Sequence, residues 1–316
     1  MSGAVLGLDT SNYTTSVAVF DGSTGCNVGR LLDVPEGTLG LRQSDALFQH
    51  VKRLPDLVGE LAGKNDLHML RAVGASTRPR AVEGSYMPCF LAGTSQAQAL
   101  ACVLGVPFFS CSHQQGHLAA AAWSAGRLEL LDEPFLAWHL SGGTTELLLV
   151  KPSGFNVTAE IIGGTTDISA GQLIDRTGVL LQLAFPAGKA LDALYQQGEN
   201  SSIDAFRVKI EDLKFSLSGM ENKVKAMVQA GESPSAVARF TLDTVADVVV
   251  RATKQAQERY PGLPVLCSGG VASNSRLRQE MTARCGTLFA EPRYSTDNAL
   301  GVAILTHRAL ERGELG

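Results

Sequence analysis

Apolar and polar positions along this chain follow two periods, and the switches between them mark out the elements. Residues 4–9 (Ala-Val-Leu-Gly-Leu-Asp) and 15–20 (Thr-Ser-Val-Ala-Val-Phe) predict two strands joined by the polar turn Thr10-Ser11-Asn12-Tyr13-Thr14. From Ser44 to about Gly63 the apolar residues Leu47, Val51, Leu54, Leu57, Val58 and Leu61 recur at three and four, which predicts an amphipathic helix bent at Pro55. A buried strand is expected at 72–76, then an irregular segment from Thr77 to Pro88, a helix over 93–104 and a strand over 107–111. Near Pro134 the pattern begins again. Residues 135–141 and 145–150 predict a second strand pair around Ser141-Gly142-Gly143-Thr144-Thr145. Helical stretches follow at about 172–183, 220–229, 233–260, 275–283 and 299–312, with strands at 264–268 and 287–290. Two copies of strand, hydroxyl- and glycine-rich turn, strand predict a duplicated α/β architecture of two halves, 1–134 and 135–316, with turns facing a central cleft. The last helix, about 299–312, is free to pack back on the first half.

Composition narrows the class. With 316 residues, 45% of them hydrophobic and 18% charged, the chain has enough apolar material for two cores. A formal charge of −4 lacks the basic excess of a stand-alone nucleic-acid binder, so any RNA contact is local or shared with a partner protein. The six cysteines, Cys26, Cys89, Cys102, Cys111, Cys267 and Cys285, show no CxxC spacing, which suits reduced thiols in a cytoplasmic protein. The first residues have no basic n-region, and no run approaches the ~20 apolar residues of a membrane span.

Candidate chemistry gathers at Ser112-His113-Gln114-Gln115-Gly116-His117, where Ser112 is a natural N-cap and two imidazoles four apart share one helix face. Such a pair either holds a divalent metal or hydrogen-bonds within a small-residue core helix, and a third ligand would decide. The turn after the first strand offers hydroxyls and amides to a phosphate or a metal-phosphate, with Asp9, Ser11 and Asn12 as the candidates; a plain polar hairpin is the alternative. The turn Gly269-Gly270-Val271-Ala272-Ser273-Asn274 allows a backbone to approach a flat ligand such as adenine or ribose.

These features together resemble the ASKHA superfamily of actin, hexokinase and sugar-kinase-like ATPases. Within it the resemblance is to the TsaD/Gcp family, the tRNA threonylcarbamoyladenosine transferases once misnamed O-sialoglycoprotein endopeptidases (peptidase M22-like). It rests first on His-Gln-Gln-Gly-His at 113–117, similar to that family's His-x-x-Gly-His, and on Ser295-Thr296-Asp297-Asn298, similar to its Thr-Asp-Asn. The resemblance implies a duplicated actin/hexokinase-like, ribonuclease H-like two-lobed fold with a central cleft. It also implies His113, His117 and Asp297 as ligands of one divalent metal, with Fe, Zn and Mg all open. His139, Leu140, Ser141, Gly142 and Gly143 match the segment that holds nucleotide phosphates, and Asp175, Gly188, Asp192 and Asn274 match the ribose and adenine side. ATP or an acyl-adenylate is the implied cofactor. The implied partners are an adenine nucleotide, tRNA reached through partner proteins, and a protein partner or second copy.

Two departures mark a divergent paralogue. Where the family opens Glu-Thr-Ser-Cys-Asp-Glu-Thr, this chain has Asp9-Thr10-Ser11-Asn12-Tyr13-Thr14-Thr15, without the middle acids, and Thr77–Pro88 stands in place of a glycine-rich loop. Three functions are therefore open: a metal-dependent threonylcarbamoyl transferase, a non-catalytic nucleotide-binding regulator, and a small-molecule kinase with Asp9 as its base. The basic segment from Arg78 to Met87 is expected to select the acceptor or partner.

Overall fold

The computed structural model describes residues 3–11, 13–34, 41–197 and 205–314. The chain folds as two compact units, each discontinuous in sequence: Met1–Glu133 with Lys151–Ala159 and Thr296–Gly316, and Pro134–Val150 with Glu160–Ser295. Segments 151–159 and 296–316 belong with the first unit.

Among the described residues the first unit contains strands β1 (Val5–Ser11), β2 (Thr14–Phe20), β3 (Gly25–Leu31), β4 (Ala72–Arg78) and β5 (Phe108–Ser112). Its helices are α1 (Gln43–Ala62), α2 (Phe90–Leu104), α3 (His113–Ser124) and α9 (Leu300–Glu311), the last numbered by its place in the chain. The sheet order is β3-β2-β1-β4-β5, antiparallel through the first three strands and parallel from β1 through β4 to β5. Every residue of β1 and β2 is buried, so these strands are near-continuously apolar until their polar ends. The expected three-and-four spacing of α1 buries Leu54, Leu57 and Leu61 against Leu6, Leu8 and Val17. β3 lies outside the sequence expectation because this edge strand buries only Val28 and shows no alternation.

The second unit contains β6 (Phe135–Leu140), β7 (Thr145–Ser153), β8 (Asn156–Thr165), β9 (Ile210–Glu211), β10 (Lys214–Phe215), β11 (Val265–Ser268) and β12 (Leu288–Phe289). Parts of β7 and β8 run on into the 151–159 segment of the first unit. The helices are α4 (Ala170–Leu180), α5 (Gly188–Gln197), α6 (Ser218–Gln229), α7 (Pro234–Arg259) and α8 (Ser275–Cys285). Strand order is β12-β11-β6-β7-β8-β10-β9. The run β8-β7-β6-β11-β12 reproduces β3-β2-β1-β4-β5 of the first sheet, with the hairpin antiparallel and the two following strands parallel. The duplication read from two strand–turn–strand patterns is thus a duplication of topology. Trp138 on β6, fully buried, donates from Nε1 to Thr253 Oγ1 of α7 at 2.8 Å and fixes that helix across the sheet. Among the described residues no helix is long and apolar enough to cross a membrane.

Candidate metal and nucleotide sites

In the first unit Ser112 caps α3 as expected: its hydroxyl accepts from Gln115 N at 3.2 Å while the Gln115 side chain accepts from Ser112 N at 2.7 Å. That cap starts the helix at His113 and sets His117 one turn further on the same face. Asp297 arrives from the segment just before α9. The two helices cross so closely that a Cβ on Gly301 would lie 1.8 Å from Gly116 O, so only glycine allows the approach. The crossing brings Asp297 to the histidine pair. His113 Nε2 and His117 Nε2 are 2.9 Å apart, and Asp297 Oδ1 is 3.2 Å from the second and 3.4 Å from the first.

Behind this triad stands Asp9, fully buried, with its carboxylate 3.1 and 3.2 Å from His113 Nδ1. Ser11 Oγ donates to Asp9 Oδ2 at 2.9 Å and Ser76 Oγ donates to Oδ1. A carboxylate at Nδ1 fixes the ring's tautomer and orientation and leaves Nε2 facing the other two donors. Thr14 Oγ1 does the same for the acid, donating to Asp297 Oδ2 at 3.3 Å so that Oδ1 faces the rings. Burial disfavours a charged His113, but the charge and hydrogen bonds of Asp9 and Asp297 outweigh it and push the ring up to about 10. Burial likewise opposes ionisation of Asp297, and the two histidines override it, holding the carboxyl far below the usual carboxylate range.

The donor set fits a metal. An ion about 2.1 Å from each of three donors spaces them about 3 Å apart when they subtend right angles, and two imidazoles with one carboxylate are a facial set that leaves positions open. The observed separations lie in that range. Asp9 and Ser11 lie on the metal side of the turn, with Ser11 buried and its hydroxyl on Asp9. Asn12 lies outside the described residues. Asp9 also cannot act as a kinase base, because it is fully buried beneath His113 with both oxygens engaged. Sequence reasoning missed Ser76 and Thr14. The signal available was a serine at the carboxyl end of a buried strand adjoining that of Asp9.

The second unit holds a cavity of ≈ 390 Å³ whose wall includes Gly142, Asp175, Gly188, Asp192 and Asn274, all expected from sequence. Asp175 Oδ1 accepts from Ala187 N at 2.8 Å and so holds the turn before α5 over α4. Asp192 accepts from Asn274 Nδ2 at 2.9 Å and from Ser275 Oγ at 2.7 Å, while Asn274 Oδ1 caps α8 by accepting from Leu277 N at 3.0 Å. Both acids therefore shape the wall, and Asn274 is a helix cap as well as a lining residue. The 141–144 turn meets α4 closely: Ser169 Oγ donates to Gly142 O at 2.6 Å, and a Cβ on Gly171 would lie 2.4 Å from Ser141 O. Of the other expected phosphate residues, Leu140 is fully buried in the core and Ser141 Oγ accepts from Thr144 N at 3.1 Å to close the turn. His139 precedes Leu140 at the end of β6, and Gly143 is an exposed turn residue. Gly171, Ile174 and Lys189 also line the cavity and were not singled out in the sequence, because no motif marks them; Pro186, from the breaker before α5, lines it too.

The sequence profile of the TsaD family, tRNA N6-adenosine threonylcarbamoyltransferase, matches residues 40–304. A protein of that description from Chlorobium luteolum is 31% identical, over 98% of this chain and 94% of its own length. Another from Streptococcus pneumoniae is 32% identical over 77% of this chain and 79% of its own. Among solved structures, HypF of T. kodakarensis aligns over 98% of this chain and 48% of its own with a TM-score of 0.62 at 16% identity. A ROK family glucokinase from Streptomyces griseus aligns over 98% of this chain and all of its own length (100%) with a TM-score of 0.51 at 12% identity. At such identities the structures establish the fold, the duplicated ASKHA type, and the sequence relatives establish the family. The chain belongs to the TsaD family of tRNA N6-adenosine threonylcarbamoyltransferases.

Proposed function

We propose that this protein transfers a threonylcarbamoyl group from an adenylate to the N6 amine of an adenosine in tRNA, using a divalent metal held by His113, His117 and Asp297. The observation that carries the reading is the convergence of three donor atoms from α3 and the segment before α9, backed by the buried Asp9. When bound, such an ion supplies Lewis-acid polarisation of a substrate carbonyl or phosphoryl oxygen. The chain's own residues do the positioning. Asp9 and Thr14 hold His113 and Asp297 in the orientation the donors need, so no reorganisation is required when substrate arrives. In the second unit the cavity beside Gly142, Asp175 and Gly188 takes the adenosine of the adenylate, with glycines permitting close backbone approach. In the transfer the acceptor amine forms the new bond to the carbamoyl carbon, the carbon–oxygen bond to the phosphate breaks, AMP leaves and the amine loses a proton. Catalysis is then mainly a matter of placement and electrostatics.

The net charge of −4 makes tRNA binding a local or shared task. The segment after β4 supports a local one: Gln114 N donates to Pro79 O at 3.0 Å, which ties Arg78 and Arg80 to the start of α3 beside His113. Their guanidinium groups suit a phosphate or a base plane. The test is transfer of carbon-14 from threonylcarbamoyl adenylate labelled in its threonyl part to tRNA by the purified protein loaded with metal. Label in tRNA with matching AMP release supports the reading. Neither label transfer nor AMP release, with Fe, Zn or Mg supplied in turn and partner proteins from a cell extract added, contradicts it.

A further inference from the structure

The ionisable residues lining the second unit's cavity are Asp175, Asp192 and Lys189. Asp175 accepts from Ala187 N, and Asp192 accepts from Asn274 and Ser275, so both acids are engaged in building the wall. Lys189 differs from them. It is exposed, and among the described residues no hydrogen bond or ion pair engages it. Nor does helix stability account for it, because Lys189 lies in the first turn of α5, where a cation adds charge to the helix's positive end. A cavity carrying two carboxylates repels an anionic ligand unless a cation in the same wall offsets them.

We infer that Lys189 is the residue that admits a phosphorylated ligand to this cavity, its ammonium meeting the phosphate nearest the ribose while Asp175 and Asp192 keep the surrounding turns in place. The inference rests on the nucleotide reading of the cavity and adds to it a discriminator between a charged nucleotide and the uncharged nucleoside. A lysine acts here as a mobile point charge that follows the phosphate, without the fixed fork an arginine would impose.

Calorimetric titration of the full chain with ADP and with adenosine tests it, on the wild type, Lys189→Ala and Lys189→Arg. Lys189→Ala should weaken ADP by about tenfold, the scale of one partly solvated charge-assisted hydrogen bond, and leave adenosine within about twofold. Lys189→Arg should recover most of the ADP affinity. The ADP affinity of the wild type should also fall more steeply with salt than that of Lys189→Ala. Unchanged ADP affinity in Lys189→Ala, or an equal loss for ADP and adenosine, overturns the assignment while leaving the nucleotide reading intact. A wild type that binds neither ligand overturns the nucleotide reading and the assignment together.

Discussion

The two candidate sites are built in opposite ways. In the first unit the chemistry is in side chains from distant positions, residues 9, 76, 113, 117 and 297, which converge because β1, β4, α3 and the segment before α9 meet. In the second unit it is in the shape of the backbone: Gly142, Gly171 and Gly188 set the wall, and the acids hold turns in position. One site is a cluster of donors waiting for charge, the other a container whose own polar groups are largely satisfied. The first should therefore fail through loss of a ligand atom, and the second through loss of shape.

The largest expected effect is at the donor cluster. His117→Ala should reduce bound metal to a small fraction of the wild-type content, measured by elemental mass analysis, and abolish label transfer, while adenosine binding in the second unit is unchanged. Asp9→Asn should lower metal affinity by about 10- to 100-fold, because it disturbs the tautomer and placement of His113 without removing a ligand. Equal metal content in all three proteins would mean that the cluster is a hydrogen-bonded core and nothing more.

Shape is tested by Gly301→Ala and Gly171→Ala. In Gly301→Ala the methyl group meets Gly116 O, so about 2 kcal/mol or more of stability should be lost, with Asp297 displaced and metal weakened. Gly171→Ala should instead disturb the turn at Ser141 and Gly142 and weaken adenosine, with metal retained. Denaturant unfolding with the two ligand titrations separates these outcomes, and a crossed pattern would break the comparison.

A third difference concerns acid. His50 on α1, fully buried, shares a 2.8 Å hydrogen bond with Thr15 Oγ1, and among the described residues its Nε2 has no partner. Burial is the main cause that lowers its pKa from 6.5 to about 4; Asp9 opposes the shift and Arg53 adds to it. The unfolded chain takes up this proton near 6.5 and the folded chain only near 4, so the stability it contributes is complete above 6.5 and is lost as the pH falls through that window. Between about pH 7.5 and 5 the loss should be roughly 2 kcal/mol, and His50→Asn should flatten that part of the curve. A variant whose acid dependence equals that of the wild type would remove His50 from the account. The smallest effect is expected at Arg78→Ala and Arg80→Ala, which should leave adenosine binding intact and weaken tRNA a few-fold each, by filter binding. Loss of adenosine binding in both would place the loop at the nucleotide site instead.

Legibility in the sequence followed the same divide. Elements with strong periodicity, such as α1 and α7, and buried apolar strands such as β1 and β11 were readable within a few residues of their ends. β8 and α5 were not: β8 mixes buried and exposed residues without alternation, and α5 buries only Leu191 and begins at a Pro-Ala-Gly breaker. In the donor cluster, helical spacing showed His113 and His117 as a pair, but Asp297 is 180 residues away and came only through family resemblance. Ser76 and Thr14 matter solely because the fold sets them against Asp9 and Asp297, a relation no local pattern carries. In the cavity, glycines announce close approach, whereas Lys189 has no motif and became visible only as part of a wall.

Whether His113, His117 and Asp297 hold one ion is decided by anomalous diffraction from crystals of the metal-loaded protein. One peak should lie about 2.0–2.2 Å from His113 Nε2, His117 Nε2 and Asp297 Oδ1 together, with Asp9 still on His113 Nδ1. A peak bound to other residues, or none at these three in protein that shows full transferase activity, would contradict the three-residue site.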